Sequence, residues 1–128
     1  MRNVYPNRFV KREYSLKGRK LFKEVIRKGK RFKESGILLI VAKHTSLNED
    51  NNFKIGILIH KKYGKANKRN YTKRQIRAAL HPLLPLIQNG YYILRPLDSI
   101  HEMPFTELEN TIKVLFLKAG VLKGENNI

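Results

Sequence analysis

Eight lysines and arginines fall within the eighteen residues His60–Arg77, HKKYGKANKRNYTKRQIR, with no acidic residue among them. Lysine supplies a point charge, arginine a planar fork that matches phosphate oxygens two at a time, and a helix start near Lys65 adds backbone N–H donors. Such groups hold phosphates; they do not cleave bonds. Hydrolysis by the protein itself would need a nucleophile with its base, or carboxylates gathered around a metal. Neither is visible in the sequence. His44, His60, His81 and His101 are far apart and lack HxxxH or HxH spacing, and Gly64 stands alone rather than in a nucleotide-cradling loop. The chain has no cysteine, which excludes a disulfide, a thiolate zinc site and a cysteine nucleophile.

Charge extends this reading to the whole chain. The 128 residues carry 27 Lys+Arg against 10 Asp+Glu, a formal net charge of +17. Residues 1–77 hold 23 of the cations and 5 of the acids, and no carboxylate lies between Asp50 and Asp98. Such a patch repels itself, so a bound polyanion would relieve it. RNA, DNA and an anionic membrane surface are the candidates, beside the plainer reading of a solvated basic helix. Solubility alone asks for a net charge of only about 2 to 8. No apolar run approaches the roughly 20 residues of a membrane helix. The segment Met1–Lys17 alternates basic with aromatic or polar residues and contains no signal-peptide block. A cytoplasmic location is expected.

The elements that must position these charges follow from periodicity. After a basic arm, residues 1–17, the segment Gly18–Lys28 predicts a helix with Leu21, Phe22, Val25 and Ile26 on one face and Gly29 as its stop. Gly36–Lys43 reads as an apolar strand. Phe53–His60 alternates, with Phe53, Ile55, Ile57 and Ile59 opposite Lys54, Gly56, Leu58 and His60. The two strands are expected to form an antiparallel hairpin across the polar stretch His44–Asn52. Lys65–Leu83 has helical spacing, with Thr72, Ile76, Ala79, Leu80 and Leu83 on its stripe. At about 100° per residue, Ala66, Asn70, Lys73, Arg74 and Arg77 project together, roughly 120° from that stripe. Tyr91–Arg95 is a third strand. Phe105, Leu108, Ile112, Leu115, Phe116 and Ala119 mark a last helix between Pro104 and Gly120. The expectation is a single α+β domain over residues 18–122, an α/β sandwich of order αββαβα whose small sheet is covered by helices, with a polar tail at 123–128. General chain sterics favour a right-handed βαβ crossover.

The basic segment resembles the protein subunit of bacterial ribonuclease P, whose signature is approximately K-K-x-G-x-A-x-x-R-N-x-x-K-R-x-x-R. Lys61, Lys62, Gly64, Ala66, Arg69, Asn70, Lys73, Arg74 and Arg77 match it in register. The likeness extends over about residues 12–120, through the arm, the helix with Phe22, the strand Lys54-Ile55-Gly56, the strand end Ile93-Leu94-Arg95-Pro96 and the helix after Phe105. It implies a ribosomal-protein-S5-domain-2-like fold with a left-handed crossover. It also implies a shared task, in which an RNA subunit with magnesium cleaves the phosphodiester bond while the protein binds that RNA and the 5′ leader of precursor tRNA. No cofactor held by the protein alone, no small-molecule substrate and no membrane are implied. By the same resemblance, Lys61, Lys62, Lys65, Lys68, Arg69, Asn70, Lys73, Arg74 and Arg77 face RNA. Phe22, Ile26 and Ile40 line a leader cleft between the first helix and the sheet.

Several positions depart from the family pattern. Tyr71 replaces the last Arg of the usual R-N-R, Lys65 the usual Asn, and His60 the usual Ser; Ile26 and Ile40 stand where aromatics are common. Tyr71 can stack on a base or simply pack, and Phe22 can line the cleft or sit in the core. A structural RNA-binding protein, such as a ribosomal protein, is the alternative from another class, since it would share the charge and the arm. A DNA-binding helical module fits less well, because no partner helix and short turn precede the basic helix.

Overall fold

The computed structural model describes residues 15–16, 18–43, 53–97 and 100–124. Its elements are α1 (Arg19–Lys28), β1 (Lys30–Glu34), β2 (Ile37–Ala42), β3 (Phe53–Ile57), α2 (Ala66–Leu80), β4 (Gly90–Pro96) and α3 (Phe105–Ala119), with short 3-10 turns between them. The expected α+β class holds. Each of the six expected elements is present within a few residues of its boundaries, and β1 is added between the first helix and the first expected strand.

The strand pairing differs from the expected hairpin. The sheet order is β1-β2-β4-β3: β4 lies between β2 and β3, antiparallel to the first and parallel to the second. The hairpin is instead β1–β2, closed by Glu34 opposite Ile37. Its two linking residues, Ser35 and Gly36, have φ of 47° and 83°. Positive φ at both positions matches the tight turn whose twist suits right-twisted strands. β3 reaches β4 through α2, which makes the βαβ unit. Burial explains why β4 takes the centre: Tyr91, Tyr92, Ile93 and Leu94 are all buried, as in a strand covered on both faces.

Helices cover both sheet faces. On one, Ile37, Leu39, Val41, Ile55, Tyr92 and Leu94 pack against Ile76, Ala79 and Leu80 of α2 and Leu108, Ile112, Leu115 and Phe116 of α3. On the other, Ile40, Ala42, Tyr91 and Ile93 lie under Val25 of α1 and against Leu16. Gly56 faces α1, where a Cβ would come 2.5 Å from the Phe22 ring and 3.2 Å from Leu16. The small residue in that alternating strand is what lets the ring approach. Leu16, expected in the arm, donates its N–H to Ile55 O at 3.0 Å, so residues 15–16 lie along the outer edge of β3. The rest of the arm, residues 1–14 and 17, the polar stretch 44–52 and residues 125–128 of the expected tail lie outside the described residues.

Phe105 is a smaller difference. Its phase put it on the α3 stripe, yet it is 38% exposed, because the first helical residue precedes the first turn that meets the core. At the other end Gly120, φ 70°, caps the helix in the left-handed conformation, as its position predicted.

Candidate nucleic-acid interface

The basic segment is built in two parts, a turn and a helix. Lys61–Tyr63 forms a 3-10 turn whose entry is capped by His60: the Lys62 N–H donates to His60 Nδ1 at 3.1 Å. A serine would cap by the same reach of two residues, so the departure at His60 preserves the turn. Tyr63 then anchors it. Its hydroxyl oxygen accepts from the His101 backbone N–H at 3.1 Å and from Thr72 Oγ1 at 3.3 Å, and its ring meets His101 edge-on with centroids 6.1 Å apart. The sequence reading overlooked Tyr63. The loop is also tied to the helix, since Arg69 Nε donates to the Gly64 carbonyl at 3.0 Å.

α2 carries Asn70, Lys73, Arg74 and Arg77 in the expected phase, whereas Arg69 projects along the stripe itself, within about 20° of Ile76 and Leu80. Thr72, Ile76, Ala79 and Leu80 are buried, and the helix has no acidic residue in its first turn and no side-chain cap at Lys65. The Lys68 N–H donates to Asn67 Oδ1 at 2.8 Å, and the Ala66 and Asn67 amides add to the positive field. Lys61, Lys62, Lys65, Asn70 and Arg74 are exposed; Lys68, Arg69, Lys73 and Arg77 are half-buried. Helical geometry puts Arg69, Lys73 and Arg77 in one row and Asn70 and Arg74 in the next. Lys68 leaves that group, falling about 100° round the helix from Arg69, and its aliphatic stem lies over Gly64. Burial, and after it the neighbouring Arg74 charge, lowers the Arg77 pKa from its ordinary value. The guanidinium keeps its proton, and a bound anion would offset the cost. Tyr71 is 43% exposed, so it is not a core residue and leaves ring surface for a base.

The three residues expected to line a cleft beside α1 differ in burial. Phe22 and Ile26 are half-buried, but Ile40 is 2% exposed beneath α1. A Cβ on Gly29 would lie 2.5 Å from Ile40 Cγ2, so Ile40 is packed floor rather than lining. α1 adds its own charges, with Glu24 bridging Arg27 at 2.9 Å and Lys28 at 2.7 Å. Hydrogen bonds from Lys28 first and Arg27 second lower the Glu24 pKa.

Arg74 is exposed and Arg69 makes a single loop bond, so if this surface docks on RNA, as the resemblance implies, Arg69→Ala and Arg74→Ala are expected to weaken RNA binding while the chain still folds. Each lost charged contact is worth about 1.5–3 kcal/mol. Electrophoretic assembly assays paired with thermal melts check this. Unchanged assembly would remove these residues from the interface.

Among the described residues no helix is long and apolar enough to cross a membrane. The family model for ribonuclease P matches residues 10–120. The ribonuclease P protein component of Symbiobacterium thermophilum is 32% identical over 117 residues, spanning 91% of this chain and 99% of that protein. Its counterpart in Listeria monocytogenes serovar 1/2a is 33% identical over 121 residues, with 92% and 98% covered. In fold, the ribonuclease P protein of Staphylococcus aureus superposes with a TM-score of 0.76 at 22% identity, covering 86% of this chain and 98% of that one. The Thermotoga maritima protein gives 0.70 at 20% identity, covering 81% and 96%. The ribosomal-protein alternative is thereby set aside: the motif register, the two-sided sheet and these likenesses agree, and the chain belongs to the ribonuclease P protein family.

Proposed function

We propose that the chain is the protein subunit of a ribonuclease P ribonucleoprotein and assists endonucleolytic removal of the 5′ leader from precursor tRNA. The observation that carries this reading is the basic row Arg69, Lys73 and Arg77, with Asn70 and Arg74 beside it, held above a buried stripe. In this proposal the RNA subunit performs the cleavage, and Lys61, Lys62, Lys65, Lys68, Arg69, Asn70, Lys73, Arg74 and Arg77 contact RNA. Magnesium in the holoenzyme would supply charge stabilisation at the phosphodiester. The chain's own contribution is to lower repulsion between two polyanions and to position the leader.

Phe22 and Ile26 are proposed to meet the leader beside α1. Phe22→Ala is then expected to weaken precursor binding by about 1–3 kcal/mol, the range for base–aromatic stacking, with little change for mature tRNA. Equal losses for both would assign the ring to packing against Gly56. The function as a whole is tested by adding the purified chain to its cognate RNA subunit at low magnesium and following leader removal. Faster cleavage is expected; no stimulation would overturn the reading.

A further inference from the structure

A cavity of about 360 Å³ opens between the 3-10 turn and the end of β4, lined by His60, Lys62, Tyr63, Arg95, Pro96 and Leu97. Its cations come from two different surfaces. Lys62 belongs to the basic turn. Arg95 pairs with Leu38 across the sheet, and it follows Tyr91 and Ile93 in the alternation that faces α1. The cavity is therefore the corner at which the α1 side of the sheet meets the motif.

Its chemistry is that of an anion site. Arg95 is half-buried and offers a planar fork, while Lys62 is exposed and offers a mobile ammonium. Because His60 Nδ1 accepts the Lys62 N–H, the neutral ring carries its proton on Nε2, which is left as a donor. No carboxylate among the described residues lines the cavity. A second basic groove, beside Phe32, also has no carboxylate in its lining, but two of its lysines are already neutralised: Lys28 and Lys118 are paired with Glu24 and Glu34.

We propose that Arg95, Lys62 and His60 form a subsite for one RNA phosphodiester, joining the α1-side cleft to the basic motif. The inference rests on the subunit reading above and adds two residues, Arg95 and His60, that the motif does not contain as phosphate ligands. A strand leaving the cleft would cross this corner, and an RNA segment on the motif would end at it. Both sources offer the same group.

The test uses the full chain assembled with its RNA subunit, comparing Arg95→Gln and Arg95→Lys across a salt series. Affinities are read for the RNA subunit, precursor tRNA and mature tRNA. Removing one phosphate contact reduces the slope of log affinity against log salt by about 0.7–0.9, so Arg95→Gln should lose about threefold less affinity between 50 and 200 mM. Arg95→Lys should keep the wild-type slope. A change confined to precursor tRNA places the phosphodiester in the leader, and a change in RNA-subunit binding places it there; either supports the subsite. His60→Ser keeps an acceptor for the Lys62 N–H but lacks the second donor, and should weaken the same RNA severalfold with its slope unchanged. Wild-type affinities and slopes in both Arg95→Gln and His60→Ser, with melting and stimulation of leader removal intact, would overturn the subsite and leave the subunit reading standing. Failure of the wild-type chain to stimulate cleavage would instead sink that reading.

Discussion

Raising monovalent salt from 50 to 200 mM should lower the affinity of the chain for its RNA by about a thousandfold or more. The size of the effect follows from the number of phosphate contacts: six to ten neutralised phosphates release enough condensed counterions to cost about 10³ to 10⁵ in affinity over that range. Eight Lys and Arg between Lys61 and Arg77 could make them, none faced by a carboxylate within the segment. Four are half-buried, Lys68, Arg69, Lys73 and Arg77, so their charges are held in place rather than left on free stems. Filter binding across a salt series gives the slope directly. A flat profile would mean that the basic row does not dock on phosphate, whatever else the chain binds. Neutralising Arg74 should flatten the slope by about one contact, or roughly 0.9 on duplex RNA if it behaves as B-DNA does.

The second large effect is on the fold that holds the row. Ile76 has 0% exposure and lies between Lys73 and Arg77 in sequence, on the stripe beneath them. Ile76→Ala should cost about 2–5 kcal/mol, the transfer term for the missing carbons plus the cavity left against the sheet. That is a large share of the roughly 5–15 kcal/mol by which a domain of this size is stable. Urea unfolding measures it. RNA affinity should fall only to the extent that folded chain is lost and recover on cooling or with stabilising osmolyte, because no phosphate ligand has been removed. Arg74→Ala should do the reverse, leaving the unfolding free energy within about 0.5 kcal/mol of wild type while assembly weakens. Matching losses of stability and affinity in both variants would contradict the separation of basic row and buried stripe.

Local patterns were readable in the sequence and long-range pairing was not. The α2 stripe through Thr72, Ile76, Ala79 and Leu80 and the face beside it with Asn70, Lys73, Arg74 and Arg77 follow from helical phase, and the structure places them as the spacing predicts. β1 escaped because KRFKE holds one apolar residue in five; an edge strand with partly exposed faces needs no more. The Ser35-Gly36 pair just after it was the available signal. The pairing of β2 with β3 failed for a different reason. Adjacent strands are the simplest partners, but β4, apolar on both faces, gains more by taking the centre than an edge would allow. At Ile40 the strand pattern could not show which side α1 would cover. Nor could sequence show that Arg95 and Lys62, thirty-three residues apart in number, line one cavity. Tyr63 occupies an unspecified position of the motif, so only its hydroxyl contacts with His101 and Thr72 mark it as the anchor.

The two rims of the sheet fare differently when many copies crowd together. Beyond β3, the Leu16 backbone already occupies part of the ladder. Beyond β1, where no further strand pairs among the described residues, the rim carries Lys30, Arg31 and Lys33, and the Lys33 carbonyl accepts from Lys118 Nζ at 3.4 Å. Lysine-rich rims resist the strand-to-strand addition that seeds fibres, so freshly made copies awaiting a nucleic-acid mate repel one another at the place where stacking would otherwise begin.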